Sequence, residues 1–413
     1  MTPSPRLFTP VLFAASAIIV VSFAVRASFG VFQIPIADEF GWPRIELSLA
    51  IDIQNLAWGI GQPIFGAFAE RYGDRLALFL GAVTYAGGMA LASMATTPEA
   101  HQWLEWIVGF GVAGTGFGVI LGVVGRAAAP EKRSLALGVA TAAGSAGQMI
   151  GPPIAAALLQ SMHWSEIFLL SAVAIMAVMV VLPAIKPVDA ATRAEAAGSM
   201  RQILGRSFRD PSYTLIFLGF FSCGYQLAFI TAHFPAMVTE LCGPIAPGSI
   251  LTGLGVTSTA QLGAWAIGVI GLMNIAGTLL AGQLGQRWSK KYLLSGIYTL
   301  RTIVAAVFIL SPITPASVLI FSALMGALWL ATVPLTAGLI AQLYGLRYMG
   351  TLYGFVFLSH QIGGFMGVWL GGVMYDNYGG YELVWWIGVG VGAFSALVHL
   401  PIRERPMGAA MAA

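Results

Sequence analysis

Charge is what this chain has least of. Of its 413 residues only 9% are Asp, Glu, Lys or Arg, against 58% that are hydrophobic, with a mean hydropathy of +0.83. A soluble domain carries about 25% charged residues, so the polar surface of a water-facing fold is missing and an integral membrane protein is expected. Cysteine is nearly absent as well. Cys223 and Cys242 form neither a disulfide framework nor a metal-ligand spacing. The phosphate-cradling pattern G-x-x-x-x-G-K-[ST] does not occur, which argues against ATP as an energy source. No nucleophile–base or metal-ligand cluster stands near a membrane face, so neither an enzyme nor a bound metal or cofactor is expected, and nothing suggests a nucleic-acid partner. A cleavage-site pattern is missing too. The first apolar run is longer than a signal h-region of about 7–15 residues, so it reads as a retained span.

What is present is apolar sequence in long runs. Twelve reach about 20 residues: 9–33, 45–68, 76–96, 101–125, 134–160, 166–184, 212–237, 258–284, 292–311, 315–342, 350–374 and 381–401. With the N-terminus inside, 17 of the 20 Lys and Arg fall on cytoplasmic segments, Arg44 alone falls outside, and Arg26 and Arg301 lie within spans. That bias predicts two cytoplasmic termini. The longest polar interruption, 186–211, reads as a cytoplasmic linker between a six-span half over 1–185 and another over 212–413.

The halves repeat. GAFAERYGDR (Gly66–Arg75) after span 2 recurs as GQLGQRWSKK (Gly282–Lys291) after span 8, matching Gly66 to Gly282, Arg71 to Arg287 and Arg75 to Lys291 at an offset of 216. The same offset carries Gly138, Gly147 and Gly151 of span 5 onto Gly354, Gly363 and Gly367 of span 11. Two features in one register indicate duplication, and an even number of spans per repeat leaves the halves parallel. Gly lets helix ends approach, while the arginines are placed to bridge acidic groups and helix C-termini.

The Gly66–Arg75 loop resembles the signature loop of the major facilitator superfamily, G-x-L-A-D-R-x-G-R-[RK], with Glu70 where Asp is usual and Asp74 where a base is usual. The second copy has Gln286 in place of the acid. The resemblance covers essentially the whole chain and implies an all-α membrane fold of twelve transmembrane helices in two parallel, pseudo-symmetric halves. It implies gating by Gly66, Glu70, Arg71, Asp74, Gly282 and Arg287. Gly147-x-x-x-Gly151-Pro152 resembles the superfamily's antiporter helix motif in part, and Pro152 is read as bending a gating helix. RASFGVFQIPIADEFGW (Arg26–Trp42), CGYQLAFITAHFPA (Cys223–Ala236) and GTLYGFVFLSHQIGGFMGVWLGG (Gly350–Gly372) are similar to bacterial monocarboxylate-transporter-like and oxalate/formate-like porters. Two departures stand out: span 8 offers Asn274 where those branches carry charge, and span 11 has His360 and Gln361 where the oxalate branch has Lys.

Intramembrane polar groups are the candidate site residues, because an arginine at mid-bilayer costs about 2.5–3.5 kcal/mol on insertion scales and persists only with a partner or a wet cavity. Arg26 lies 13 residues before Glu39 and Asp52 lies 13 after it, so a hairpin pivoting there pairs them at one depth. The pair either orders the hairpin or serves substrate and proton, with Asp52 as the coupling carboxylate. Asp52, Asn55, Gly59 and Gln62 share one face of span 2. In span 7, Ser222, Gln226, Phe229 and His233 repeat the stripe, and His233 is a candidate for substrate and proton alike, imidazole titrating near pH 6.5. Trp329 and Thr332 on span 10 form a candidate wall, and His360 and Gln361 flank the cavity on span 11. Arg301 on peripheral span 9 is expected to pair with carbonyls or to snorkel. His101, His163, Trp42, Trp103, Trp106 and Trp164 read as an aromatic belt. The expectation is a monomeric secondary transporter of the bacterial inner membrane moving a small organic anion, most simply a monocarboxylate, with protons. Efflux of an amphipathic compound is the alternative, and a non-transporting sensor a remote one.

Overall fold

The computed structural model describes residues 6–187 and 199–406. Every long element is a helix. Span 1 is Pro10–Phe40, span 2 Arg44–Tyr72 and span 3 Asp74–Ala92; span 4 is Pro98–Thr115 continued by Phe117–Ala127; span 5 is Arg133–Leu158 and span 6 Trp164–Ala177, prolonged by a 3-10 turn. Span 7 is Pro211–Leu241, span 8 Thr259–Leu284, span 9 Lys290–Leu310, span 10 Pro315–Leu328 and Thr332–Tyr344, span 11 Met349–Tyr378 and span 12 Glu382–His399. Ten of these units are long and apolar enough to cross a membrane by length and composition. Spans 2 and 5 are long enough but fall outside that set, because both are richer in polar, charged or small residues. Of the expected linker, 188–198 lie outside the described residues, and its remainder includes the short helix Met200–Ser207.

Local chemistry sets the turns. Thr9 and Thr97 cap spans 1 and 4 by accepting from Leu12 and Ala100 N–H groups, each with Pro at the first helical position. Span 1 ends at Gly41, whose φ of 66° is the left-handed conformation that favours glycine. Arg75 donates to the carbonyls of Ile185 and Pro183 at 2.5 and 2.8 Å, and Arg126 pairs with buried Asp74 at 2.6 Å. These groups mark the basic end of the molecule. At the far end Glu39 joins span 1 to span 6, accepting from Trp164 Nε1 at 2.5 Å and lying 2.9 Å from His163 Nε2. Two of the belt residues are thus interhelical partners rather than an interfacial girdle.

Within each half the tightest crossings are span 1 on span 5 and span 7 on span 11. Glycines make them close. Gly147 and Gly151 seat on the Val20 and Ala24 carbonyls of span 1, and Gly363 and Gly367 seat on Phe221 and Tyr225 of span 7. Gly147 and Gly151, expected to gate, therefore pack inside the first half. Pro152 and its neighbour Pro153 lie inside the same continuous helix.

The halves meet along two seams, span 2 with span 11 and span 5 with span 8. A Cβ on Gly66 would sit 2.6 Å from the Gly350 carbonyl carbon, and one on Gly138 would sit 3.0 Å from Gly282 Cα. Beside Gly66, buried Glu70 accepts from the N–H groups of Gly350 and Thr351 at 2.7 and 3.1 Å and from the Thr351 hydroxyl. The second seam repeats this at the offset of 216. In the amide orientation that satisfies both partners, Gln286 accepts from Leu135 N–H and donates to the Glu131 carbonyl, both at 3.2 Å. Leu135 is the counterpart of Thr351, so the duplication extends to individual hydrogen bonds. These contacts lie at the basic end and hold the halves together there.

Candidate substrate site at the meeting of the halves

Arg26 sits half-buried on span 1 and faces span 2. Its Nη2 donates to Asn55 Oδ1, its guanidinium lies 4.4 Å over the Trp58 ring, and its Nε has no hydrogen-bond partner. The expected ion pair with Asp52 does not form; among the described residues Arg26 makes none. The reason is the pivot. Span 1 runs to Phe40 and span 2 starts at Arg44, so the turn centres on Trp42, which puts Arg26 level with Trp58. Asp52 lies nearer the far end, half-buried on the same face as Asn55.

Gln361 completes the group from the second half. Its Nε2 donates to the Asn55 carbonyl at 2.8 Å, and Gly59 makes room for it, since a Cβ there would lie 2.7 Å from Gln361 Cβ. Phe357 packs on Trp58 with ring centroids 4.6 Å apart, and Phe117 and Phe23 extend the aromatic surround. Arg26, Asn55, Trp58 and Gln361 therefore converge where the halves touch: one cation, amide groups and an aromatic wall.

The remaining candidates in the second half are engaged elsewhere. Gln226 donates to the Gly388 carbonyl of span 12 at 3.0 Å. The Nε2 of His233 lies 2.9 Å from the Val368 carbonyl, its ring against Phe229 and Tyr381, so it joins span 7 to spans 11 and 12 instead of facing the seam. His360 stacks on Phe357 and bonds its neighbour Gln361 at 3.0 Å, which makes it a support for that amide. Trp329 and Thr332 flank a break in span 10. Arg301 is fully buried and donates to the Trp329 carbonyl at 2.9 Å; Cys223 Sγ lies 3.4 Å from Thr332 Oγ1; and Leu330 N–H donates to Asn274 at 2.9 Å. Asn274 also donates across the seam to Ser145 Oγ at 2.9 Å. The carbonyl pairing expected of Arg301 is present, but it braces the break, and snorkelling is absent. Span 4 breaks at the equivalent place, at Gly116, where Gly118 N–H donates to Gln62 at 2.7 Å.

Among the gating candidates, Glu70, Gly66 and Gly282 lie in the seams, whereas Asp74 is committed to Arg126 within its own half. Arg71 is exposed over Tyr72, and Arg287 is exposed. The acid and the amide of the two loops, not their arginines, cross between halves. Three groups were not anticipated: Trp58 under Arg26, Asn274 as a cross-seam link, and Glu105, wholly buried in span 4 and bonded by Gln54 at 2.7 Å. A carboxylate in the apolar run HQWLEWIVGFG is the signal that marks the last.

A family model described as Major Facilitator Superfamily matches residues 14–368 and 236–410. The chain belongs to the major facilitator superfamily. Among its superfamily relatives it is 24% identical over 414 residues to the uncharacterized MFS-type transporter YcxA of Bacillus subtilis, covering 97% of this chain and 96% of that one. It is 25% identical to bovine monocarboxylate transporter 13, with 87% and 80% covered, and 26% identical to the multidrug resistance protein MdtH of Yersinia pestis, with 84% and 82% covered. Solved superfamily structures share the fold. The fucose:proton symporter FucP of E. coli superposes with a TM-score of 0.72 at 15% identity, with 94% of this chain and 97% of that chain covered. The proton:xylose symporter XylE gives 0.74 at 13%, with 98% of both covered. This superfamily member is thus a multi-pass membrane transporter of small molecules with the twelve-helix fold.

Proposed function

We propose that this transporter moves a small organic anion, most simply a monocarboxylate, together with protons across the bacterial inner membrane, as a monomer working by alternating access. One observation carries the reading: Arg26 holds a positive charge between the halves with an amide and an aromatic face for company and, among the described residues, no carboxylate paired with it. A guanidinium so placed, with a free Nε–H, suits a carboxylate that completes its hydrogen bonding. Asn55 and Gln361 supply the neutral groups that orient the ligand. The charge bias of the loops supports a cytoplasmic basic end and cytoplasmic termini, so the closed seams correspond to an outward-facing state. A relative named as a monocarboxylate transporter and fold neighbours named as proton symporters are consistent with this reading. Asp52, half-buried on the face it shares with Asn55, is the carboxylate proposed to exchange protons with the far face.

The aromatic wall of Trp58, Phe357 and Phe117 favours a second reading, efflux of an amphipathic compound, for which the MdtH likeness also speaks. Proteoliposomes separate the two. Under an acid-outside gradient, radiolabelled L-lactate, pyruvate or benzoate is expected to accumulate, and Asp52→Asn is expected to lower gradient-driven accumulation about tenfold while sparing exchange. If none of the three acids enters and ethidium is expelled instead, efflux replaces the anion reading.

A further inference from the structure

Behind span 2, on the side away from the seam, the first half encloses a second polar group. Glu105 is 0% exposed; its Oε2 accepts from Gln54 Nε2 at 2.7 Å, and its Oε1 has no hydrogen-bond partner. His101, one turn earlier on span 4 and 4% exposed, places Nε2 3.7 Å from that free oxygen. Both residues line a small cavity of about 10 Å³, room for about one water molecule, which spans 1, 2, 4 and 6 otherwise wall mainly with apolar side chains such as Phe29, Phe32 and Phe168. His101 belongs to the first turn of span 4, beside the span 1–2 turn, its ring centroid 6.2 Å from that of Trp42. A titratable pair therefore leads from the far end into the membrane core.

The charged and titratable surroundings are sparse. Span 2 contributes Gln54 and, one layer nearer the far end, Glu46, whose carboxylate accepts from Gln102 at 2.7 Å. Span 3 contributes Tyr85, fully buried with its hydroxyl donating to the Ser22 carbonyl at 3.1 Å, and within electrostatic reach of both Glu105 and Arg26. Span 1 contributes Arg26 through that tyrosine and neutral Gln33 on the cavity wall; span 6 offers Phe168. Gln54 and Asn55 are consecutive, so one step of span 2 holds the acid behind the helix and the base in front of it.

We propose that Glu105, with His101 as its outlet to the far face, is a proton-holding site, and that the Gln54–Asn55 step links its charge to the hold of Arg26 on an anion. This rests on the proton-coupled reading above. Loading forms one Oε1–H bond as a hydronium ion reaching the cavity from the far face gives up its proton and leaves water. The carboxylate becomes a neutral acid able to donate to His101 Nε2, and release breaks the same bond. With Glu105 neutral, the Gln54 amide is no longer held by a carboxylate charge, and the change passes along the Gln54–Asn55 step to the amide that holds Arg26.

The test needs no substrate in its first arm. Infrared difference spectra of the purified protein in lipid, recorded between two pH values, are expected to contain a protonated-carboxyl band. The Glu105 component of that band should vanish in Glu105→Gln and persist in Asp52→Asn, which removes only the Asp52 component, and His101→Gln should move the Glu105 midpoint by about half a pH unit or more. A full band in Glu105→Gln overturns the assignment. Should that variant not fold, an unmoved midpoint in His101→Gln does the same. In the second arm, Glu105→Gln proteoliposomes are expected to lose gradient-driven L-lactate accumulation about tenfold while retaining L-lactate exchange; undiminished accumulation overturns the link to transport. Failure of L-lactate, pyruvate and benzoate alike in wild-type protein sinks the anion reading and leaves the infrared result standing.

Discussion

Arg26→Ala is expected to abolish accumulation of a carboxylate substrate while leaving the folded protein intact. The guanidinium is the one intramembrane cation, among the described residues, that stands where the halves meet, and a bound carboxylate would take two charge-assisted hydrogen bonds from it. Each such bond contributes about 1.5–3 kcal/mol. Losing both lowers kcat/KM by a factor on the order of 10² to 10⁴, at about 1.4 kcal/mol per tenfold. Arg26→Lys should recover only part of this, because an ammonium neither forks onto a carboxylate nor lies flat on Trp58. Thermal stability in detergent should hold or rise, since the variant removes a charge with which no carboxylate among the described residues is paired. Uptake of radiolabelled acid and a melting curve on the same preparations check both halves of the statement. Wild-type uptake in Arg26→Ala would remove the residue from the site.

Glu70→Ala is expected to open the basic end. Three donors from the start of span 11 converge on this one carboxyl group and engage both of its oxygens. A net loss of only about 3 kcal/mol would shift the balance between closed and open seams by more than about 100-fold. Ser134, buried at the second seam where a Cβ on Gly285 would meet it, is a suitable reporter. With Cys223 and Cys242 replaced by Ser, a cysteine at 134 should react with a charged thiol reagent at least tenfold faster when Glu70 is Ala. An unchanged rate would mean that glycine packing, not the carboxyl group, holds the seam shut.

The fold was legible because membrane insertion imposes few solutions. Long apolar runs, a one-sided charge bias and a repeat in register leave little besides two parallel six-helix halves, and the Gln286–Leu135 bond repeats Glu70–Thr351 at the same offset. The site was legible only in part. Three of the candidates, Arg26, Asn55 and Gln361, come together, but pairing Arg26 with Asp52 required the hairpin pivot to within one residue. Counting from Glu39 instead of Trp42 moved the partner by nearly two turns. Arg301 pairs with a carbonyl as expected of it, yet its role depends on a break in span 10 at LWLAT, which Pro334 marks by having no N–H to give the Leu330 carbonyl its i+4 helical bond. Side chains such as His233 and Gln226 hold polar stripe positions as cavity residues would, and they bond to backbone carbonyls of neighbouring helices. Sequence periodicity gives the face of a helix, not which neighbour that face meets. Glu105 illustrates the same limit from the other side: the apolar run HQWLEWIVGFG marks it, but its place four residues after His101 near a span boundary suits an interfacial acid equally, and burial decides.

The stack of Arg26 on Trp58 also gives the protein its own optical gauge. A cation 4.4 Å from an indole face perturbs the excited state of that ring. An anion arriving at Arg26 offsets the perturbation without touching the indole. Subtracting the emission of a Trp58→Phe variant isolates this signal from the other ten tryptophans of the eleven. The residual spectrum would follow occupancy in real time, without a label and whichever acid is bound.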